Sequence, residues 1–331
     1  MNRTNRPPWL IAVVGPTATG KSALALRLAD MMGGEIISCD STAVYRGFDI
    51  GTDKVLSGEQ RGIAHHLVDI VEPTDVYSAA RYSRDAARVV REITKRGRLP
   101  ILVGGTGLYY RALTRGLFPG PERDPALRAR LSRMVHRRGN AVLCRLLRRH
   151  DPESARRIQP GDVKRLIRAV EVFWLTGRAL SEHFAETRSL IADYRVLTVG
   201  LRLPMDLLET RIAKRVDTQL EAGLLAEVSG LLASGVPEEA GPFGGLVYRQ
   251  VLEHLRGQRD LASTRELIVR ENRKYARRQL LWFRREPHVH WFESAGERLE
   301  TAVAVQRLCE TAMAGANDEV PGAAAAGPDG K

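Results

Sequence analysis

Residues 15–22 read Gly15-Pro16-Thr17-Ala18-Thr19-Gly20-Lys21-Ser22, an intact G-x-x-x-x-G-K-[ST] run. An apolar stretch, residues 10–14, precedes it, and Leu24, Leu28 and Met31 recur at helical spacing behind it. This strand–loop–helix setting is what such a run needs to cradle phosphate. Its glycines let the backbone wrap a polyphosphate with N–H groups inward. Lys21 adds a point charge, Ser22 can ligand Mg²⁺, and the helix N-terminus favours the anion. A ligand-free glycine-rich turn is the plainer reading, but it gives the flanking elements no purpose. The loop alone does not say whether the phosphorylated molecule is a nucleotide.

The 331 residues suffice for one α/β domain with a sizeable core and a further insertion. Cys39, Cys144 and Cys309 stand far apart without C-x-x-C spacing, so no disulfide framework or cysteine metal site is expected. The run at residues 10–14 is too short for a signal-peptide core, and no later run approaches membrane-spanning length. A cytoplasmic protein with no membrane partner is expected.

The net charge of +12 is unevenly spread. Residues 119–188 hold 16 Lys and Arg against 8 Asp and Glu, and residues 262–286 hold 8 against 3, while the remainder is close to neutral. A neutral body with two basic segments suits a polyanionic partner. The alternative is an arginine-rich composition displayed on solvated helix faces.

Short apolar runs at residues 10–14, 35–39, 67–71, 99–103, 196–201 and 288–292 predict strands, and helical patterns such as residues 79–96 lie between the earlier ones. Alternation of this kind predicts an α/β fold: a parallel sheet flanked by helices, with ligands at the carboxyl ends of its strands. Residues 119–188 break the alternation. Leu127, Leu131 and Met134, then Leu143, Leu146 and Leu147, follow helical spacing, and Asp162 and Gly177 can cap a helix running to Thr176. On it Lys164 and Arg168 share one face, and Leu166, Val170 and Phe173 another. The expected organisation is a phosphate-loop core from 1–118 and 189–314, an all-helical insertion at 119–188, and a disordered tail at 315–331.

Asp40 ends one strand beside the phosphate site, where it can hold Mg²⁺ through water, act as a general base, or merely cap a turn. Thr106, in a glycine-flanked loop, can donate to a substrate oxygen or cap the next helix. Arg211 and Arg215, four apart, can reach a diphosphate or face solvent. His65 and His66 lack the spacing of a metal site. Arg270, Lys274, Arg277 and Arg278 form a basic stripe, with Tyr275, Trp282 and Phe283 as aromatic surface or core.

Together these motifs resemble the tRNA dimethylallyltransferase family, over about residues 10–292. The blocks are GPTATGKS at 15–22, DSTAVYRGFDIGTDK at 40–54, HHLVDI at 65–70, GGTGLYYRAL at 104–113, KRLIRAVEVFWLTG at 164–177, RIAKRVDTQLEAGLLAEV at 211–228 and YARRQLLWFRR at 275–285. The resemblance implies a nucleotide-kinase-like core whose loop grips dimethylallyl diphosphate with Mg²⁺. It implies prenyl transfer to the N6 amine of the adenosine beside the tRNA anticodon, adenosine 37. A monomer is expected. Asp40 matches the family's general base, Thr106 the residue at the reaction centre, Lys21 and Arg215 the charges on the diphosphate, and Ser22 the metal-side hydroxyl. Contacts to the tRNA anticodon stem-loop are implied for Asp40, Ser41, Thr42, Ala43, Thr106, Arg128, Lys164, Arg165, Leu166, Ile167 and Arg168. The same holds for Gly244, Gly245, Leu246, Val247, Tyr248 and Arg249, and for Arg277, Arg278, Gln279, Leu280, Leu281, Trp282, Phe283 and Arg284.

The chain departs from the family's pattern at Ala43, Asp53, Val247, Asn272 and Leu281, positions where glutamine, a small residue, glycine and two threonines are usual. A phosphate-loop kinase of a nucleotide or small metabolite is the alternative enzyme class. It accounts for the loop, Asp40 and Ser22, but not for the two basic segments.

Overall fold

The computed structural model of the chain describes residues 7–118 and 120–315. They form two compact units, one from the residues up to Tyr110 and from Asp193 onward, the other from Arg111–Ala192.

The first unit begins β1 (Trp9–Val14), α1 (Lys21–Met32), β2 (Gly34–Ser38), β3 (His65–His66), α2 (Ala79–Lys95) and β4 (Leu99–Gly104), and the division between the units falls within α3 (Gly107–Thr114). It resumes with β5 (Arg195–Leu201), a helical series, and β6 (Val289–Phe292). All six strands are parallel, in the order β3-β2-β4-β1-β5-β6. This is the α/β sheet that the alternating pattern predicts. Residues 10–14 of β1 are wholly buried, as a strand covered on both faces must be, which explains its unbroken apolar run. One face is covered by Leu24, Ala25 and Leu28 of α1, packed with Ile11, Val13, Ile101 and Val199. Tyr82, Val90 and Ile93 of α2 are also fully buried, and this helix lies against β2 and β4.

Residues 67–71 do not form the strand their hydropathy predicts. The strand is His65–His66, paired with Ile36 and Ile37. Leu67 and Asp69 then take φ of 61° and 54°, left-handed values incompatible with a strand, and Val71 meets Tyr45 only in an isolated bridge. Leu67 and Val71 are nevertheless buried, so a folded-back loop carries the hydropathy of a strand.

The second unit holds α4 (Pro125–Arg138), α5 (Ala141–His150), α6 (Pro152–Arg157), α7 (Val163–Thr176) and α8 (Leu180–Ala185). Leu131, Leu143, Leu147, Leu166, Val170 and Val172 form its core. Asp162 starts α7 by accepting the N–H of Arg165, and Gly177, at φ 72°, ends it.

The helices between β5 and β6 are α9 (Met205–Glu221), α10 (Leu224–Ala233), α11 (Leu246–Leu255) and α12 (Leu261–Phe283), and α13 (Leu299–Gly315) follows. On α13, Ala302, Val305 and Cys309 join the core beside α1. The expected tail lies outside the described residues, except Gly315, which ends α13. Among the described residues no helix is long and apolar enough to cross a membrane.

Candidate active site

From β1 the chain runs outward to β2 and β3, returns to β4, and then places β5 on the other side of β1. The crevice over the carboxyl end of β1 is therefore the topological switch point, where open α/β sheets bind ligands. An open cleft lies there, with Lys21, Ser22, Asp40, Arg215, Tyr275 and Gln279 in its wall.

The phosphate loop forms its floor. Gly15 and Gly20 take φ of 137° and 86°, and Gly20 also backs so closely on Gly296 that a Cβ would collide. The loop is tied internally: the Thr19 hydroxyl donates to the Pro16 carbonyl at 2.9 Å, and Lys21 Nζ to the same oxygen at 2.6 Å. Burial first, and the Arg215 charge next, push Lys21 down to about 7, against the opposing pull of Asp40 and Asp53. Ser22 is exposed in the first turn of α1.

Asp40 follows the end of β2, where the Cys39 N–H still reaches Val103 at 2.7 Å. Asp40 Oδ1 accepts the Thr42 N–H and hydroxyl, both at 2.8 Å, and the Ala43 N–H at 3.3 Å. This Asx turn fixes the carboxylate and leaves Oδ2 without a hydrogen bond among the described residues. Thr106 donates its N–H to Cys39 at 3.1 Å, and its Oγ1 accepts the Ser41 N–H at 3.1 Å. The loops after β2 and β4 are thus stitched together on both sides of Asp40.

Arg211 and Arg215 have different fates. Arg215 Nη1 donates to Thr17 Oγ1 at 2.8 Å, and its Nε lies 3.4 Å from Asp53 Oδ2, inside the cleft. Arg211 Nε donates to the Ala18 carbonyl at 2.6 Å, and its other end pairs with Glu297. That contact holds Ala18 in a left-handed conformation, φ 60°, so Arg211 braces the loop.

The segment carrying Asp53 is pinned by a residue that sequence reasoning missed. Glu227 on α10 accepts the N–H groups of Asp49, Ile50 and Gly51 at 3.0, 2.7 and 3.4 Å, and the Tyr248 hydroxyl at 2.7 Å. Lys54 is almost enclosed and donates to Tyr45, Asp49 and Asp69. A run of glutamate, tyrosine and backbone amides distant in sequence leaves no signal of its own.

From α12, Gln279 accepts the Thr17 N–H at 2.9 Å and donates to Gly105 at 3.0 Å. One turn earlier Tyr275 lies against Thr106, its phenol pushed up to about 12 mainly by burial. Arg278 sits over the Tyr275 ring, 5.7 Å from its centroid.

None of the following sequence-predicted residues is in the wall of this cleft. In the second unit, Arg128 and Arg168 close on Glu171, a fully buried carboxylate, at 2.7 Å each. Burial pushes Glu171 up, yet the hydrogen bonds from Arg128, Arg168 and the Asp124 N–H outweigh it and hold Glu171 at about 2. Lys164 and Arg165 are exposed, whereas Leu166 and Ile167 belong to the core. In the first unit Gly244 and Arg249 are exposed, Gly245 and Leu246 half-buried, and Val247 and Tyr248 buried. Arg277, Arg278, Leu281 and Arg284 are exposed, Leu280 and Trp282 half-buried, and Phe283 wholly buried. Lys274, part of the expected stripe, pairs with Glu271 at 2.7 Å. His66 pairs with Glu35 at 2.7 Å, and among the described residues no group of three or more His, Cys, Asp or Glu could hold a metal ion.

A phosphate cradle at the switch point of a parallel sheet, with a fixed carboxylate turned to the same cleft, defines a phosphate-loop α/β protein. The chain belongs to the IPP transferase family, whose sequence profile matches residues 43–286. It is 47% identical over 297 residues to the tRNA dimethylallyltransferase of Solibacter usitatus, an alignment covering 89% of this chain and 96% of that protein. With its counterpart in Carboxydothermus hydrogenoformans it shares 43% over 292 residues, covering 88% and 94%. Among solved structures, the full-length tRNA isopentenylpyrophosphate transferase of Bacillus halodurans is similar at 34% identity and a TM-score of 0.70, covering 95% of this chain and 98% of that one. A eukaryotic dimethylallyltransferase acting on tRNA is similar at 25% identity and a TM-score of 0.75, covering 95% and 81%.

Proposed function

We propose that the chain transfers a dimethylallyl group from dimethylallyl diphosphate to the N6 amine of adenosine 37 in tRNA. The observation that carries this reading is Asp40, which lines the cleft that holds Lys21 and Arg215, with Oδ1 fixed by Thr42 and Ala43 and Oδ2 without a hydrogen bond among the described residues. The loop amides, Lys21 and Arg215 take the charge of the leaving diphosphate as the allylic C–O bond breaks and the C–N bond forms. Asp40 accepts the amine proton, and Thr106 keeps the Asp40 loop in register for it. An adenine stacked in an anticodon loop cannot reach this depth, so the base enters flipped.

The donor set suits Mg²⁺: the exposed Ser22 hydroxyl, carboxylates nearby, and space for water and diphosphate oxygens. Ser22 would be its protein ligand, and the ion would neutralise diphosphate charge. Lys164 and Arg165 of the helical unit, and Arg277 and Arg278 of α12, are read as the tRNA-docking cations of a cytoplasmic monomer.

Incubation with tRNA, Mg²⁺ and dimethylallyl diphosphate, followed by mass spectrometry of the nucleosides, tests the reading. An adenosine heavier by one dimethylallyl group is expected. Phosphoryl transfer from ATP with no such product would favour the kinase alternative.

A further inference from the structure

We infer that Asp53 is a built-in counterion of Arg215 that weakens the site's hold on inorganic diphosphate, the product. The inference rests on the proposed diphosphate site. Three cations line the cleft, but Lys54 is already committed to Asp49 and Asp69, leaving Lys21 and Arg215 for a ligand. Two carboxylates face them. Asp40 is fixed by its own turn. The Asp53 carboxylate has one partner among the described residues, Arg215 Nε at 3.4 Å, and stays half-exposed.

Its position is held firmly. Asp53 takes φ of 58°, which Asp and Asn tolerate better than other side chains. Its N–H closes a turn onto Ile50 at 3.1 Å, and Lys54 closes another onto Asp49 at 3.1 Å. Glu227 grips the three residues 49–51 from behind. The opposite end of Arg215 is anchored on Thr17. Before substrate arrives, Asp53 therefore holds the guanidinium over the loop. Once a diphosphate takes over Arg215, the carboxylate remains beside it as a like charge on a pinned turn. The repulsion acts on any diphosphate in the site, the released product included.

Calorimetric titration of inorganic pyrophosphate into the full chain, as wild type, Asp53→Asn and Asp53→Gly, tests this. Both replacements tolerate the positive φ, and thermal melts check that each is folded. Titrations at pH 6, with Mg²⁺ and with a chelator, keep Lys21 protonated throughout. Both variants should bind pyrophosphate about five- to tenfold more tightly, with or without Mg²⁺. Unchanged or weaker binding by folded variants overturns the counterion role alone; weakening confined to Mg²⁺ would make Asp53 a metal-side ligand instead. A wild-type chain that binds no pyrophosphate removes the diphosphate site, and the role of Asp53 with it.

Discussion

Gln279 and Thr17, 262 residues apart, share a hydrogen bond of 2.9 Å, and the same Gln279 amide donates to Gly105 at 3.0 Å. One buried side chain on α12 thus joins the phosphate loop to the loop that carries Thr106. Gln279→Leu would leave the Thr17 N–H and the Gly105 carbonyl without this partner, at a cost of about 1–3 kcal/mol for each buried orphan. Urea denaturation should register that loss, and dimethylallyl diphosphate should bind more weakly because the loop is no longer held. Gln279→Glu keeps the acceptor and loses the donor, so it should fall between. Wild-type stability in the Leu variant would contradict the brace.

Asp40→Asn isolates chemistry from architecture. Asparagine keeps an Oδ1 acceptor for Thr42 and Ala43 and replaces only the open Oδ2. Prenyl transfer should fall by about 10²–10⁴-fold, with melting temperature nearly unchanged and no loss of diphosphate affinity. Initial rates within a factor of two of wild type would remove Asp40 from the reaction.

The parts of this site legible in the sequence are those whose meaning is local. A loop of eight residues, a strand-end aspartate and glycines before Thr106 each announce a backbone geometry where they stand. What sequence cannot supply is the partner of each guanidinium. Arg211 and Arg215 differ by one helical turn, yet one holds a carbonyl behind the loop and the other faces the cleft. Lys164 and Arg168 read as one basic face, but Arg168 turns to the buried Glu171, which Arg128 reaches from α4. The false strand at residues 67–71 has the same origin: burial set by tertiary contact, in a backbone with positive φ at Leu67 and Asp69.

Lys21, held near 7 by burial and by the Arg215 charge, is mostly neutral at pH 8 and charged at pH 6. A bound diphosphate favours the ammonium and returns the pKa toward 10.5, so binding at pH 8 should take up as much as one proton, and binding at pH 6 close to none. Affinity should therefore decline as pH rises above 7. Calorimetry in two buffers of different ionisation enthalpy measures the uptake, and subtracting the Lys21→Met result removes the ligand's own titration. Equal uptake by the two proteins would mean that Lys21 does not change its proton.

Glu171 gives the helical unit an acid-sensitive element. Its folded pKa of about 2 lies below the 4.5 of the free side chain, so its contribution is complete above pH 4.5 and is lost as pH falls toward 2. Removing one partner leaves the buried carboxylate under-compensated, so Arg168→Gln should cost about 3–5 kcal/mol near neutral pH and flatten the acid transition between pH 4.5 and 2. Denaturant titrations across that range would read both effects. A variant as stable as wild type at pH 7 would show that Arg128 alone satisfies Glu171.

The basic residues of the two charged segments should separate into two classes when tRNA binding is measured against salt. Lys164 and Arg165 are exposed at the start of α7, and Arg277 and Arg278 on α12. Each phosphate contact they make releases counterions on association, and losing one should reduce the log–log salt slope by roughly 0.7–0.9. Glutamine replacements in either pair should weaken tRNA binding and flatten that slope while leaving dimethylallyl diphosphate affinity unchanged, because no residue of either pair lies in the wall of the cleft. Arg128→Gln should behave differently, with its guanidinium spent on Glu171: lower stability and little change of slope at temperatures where the variant stays folded. Filter-binding titrations at several salt concentrations separate the two classes. Wild-type affinity and slope in both glutamine pairs would mean that these faces are only solvated and that tRNA docks elsewhere.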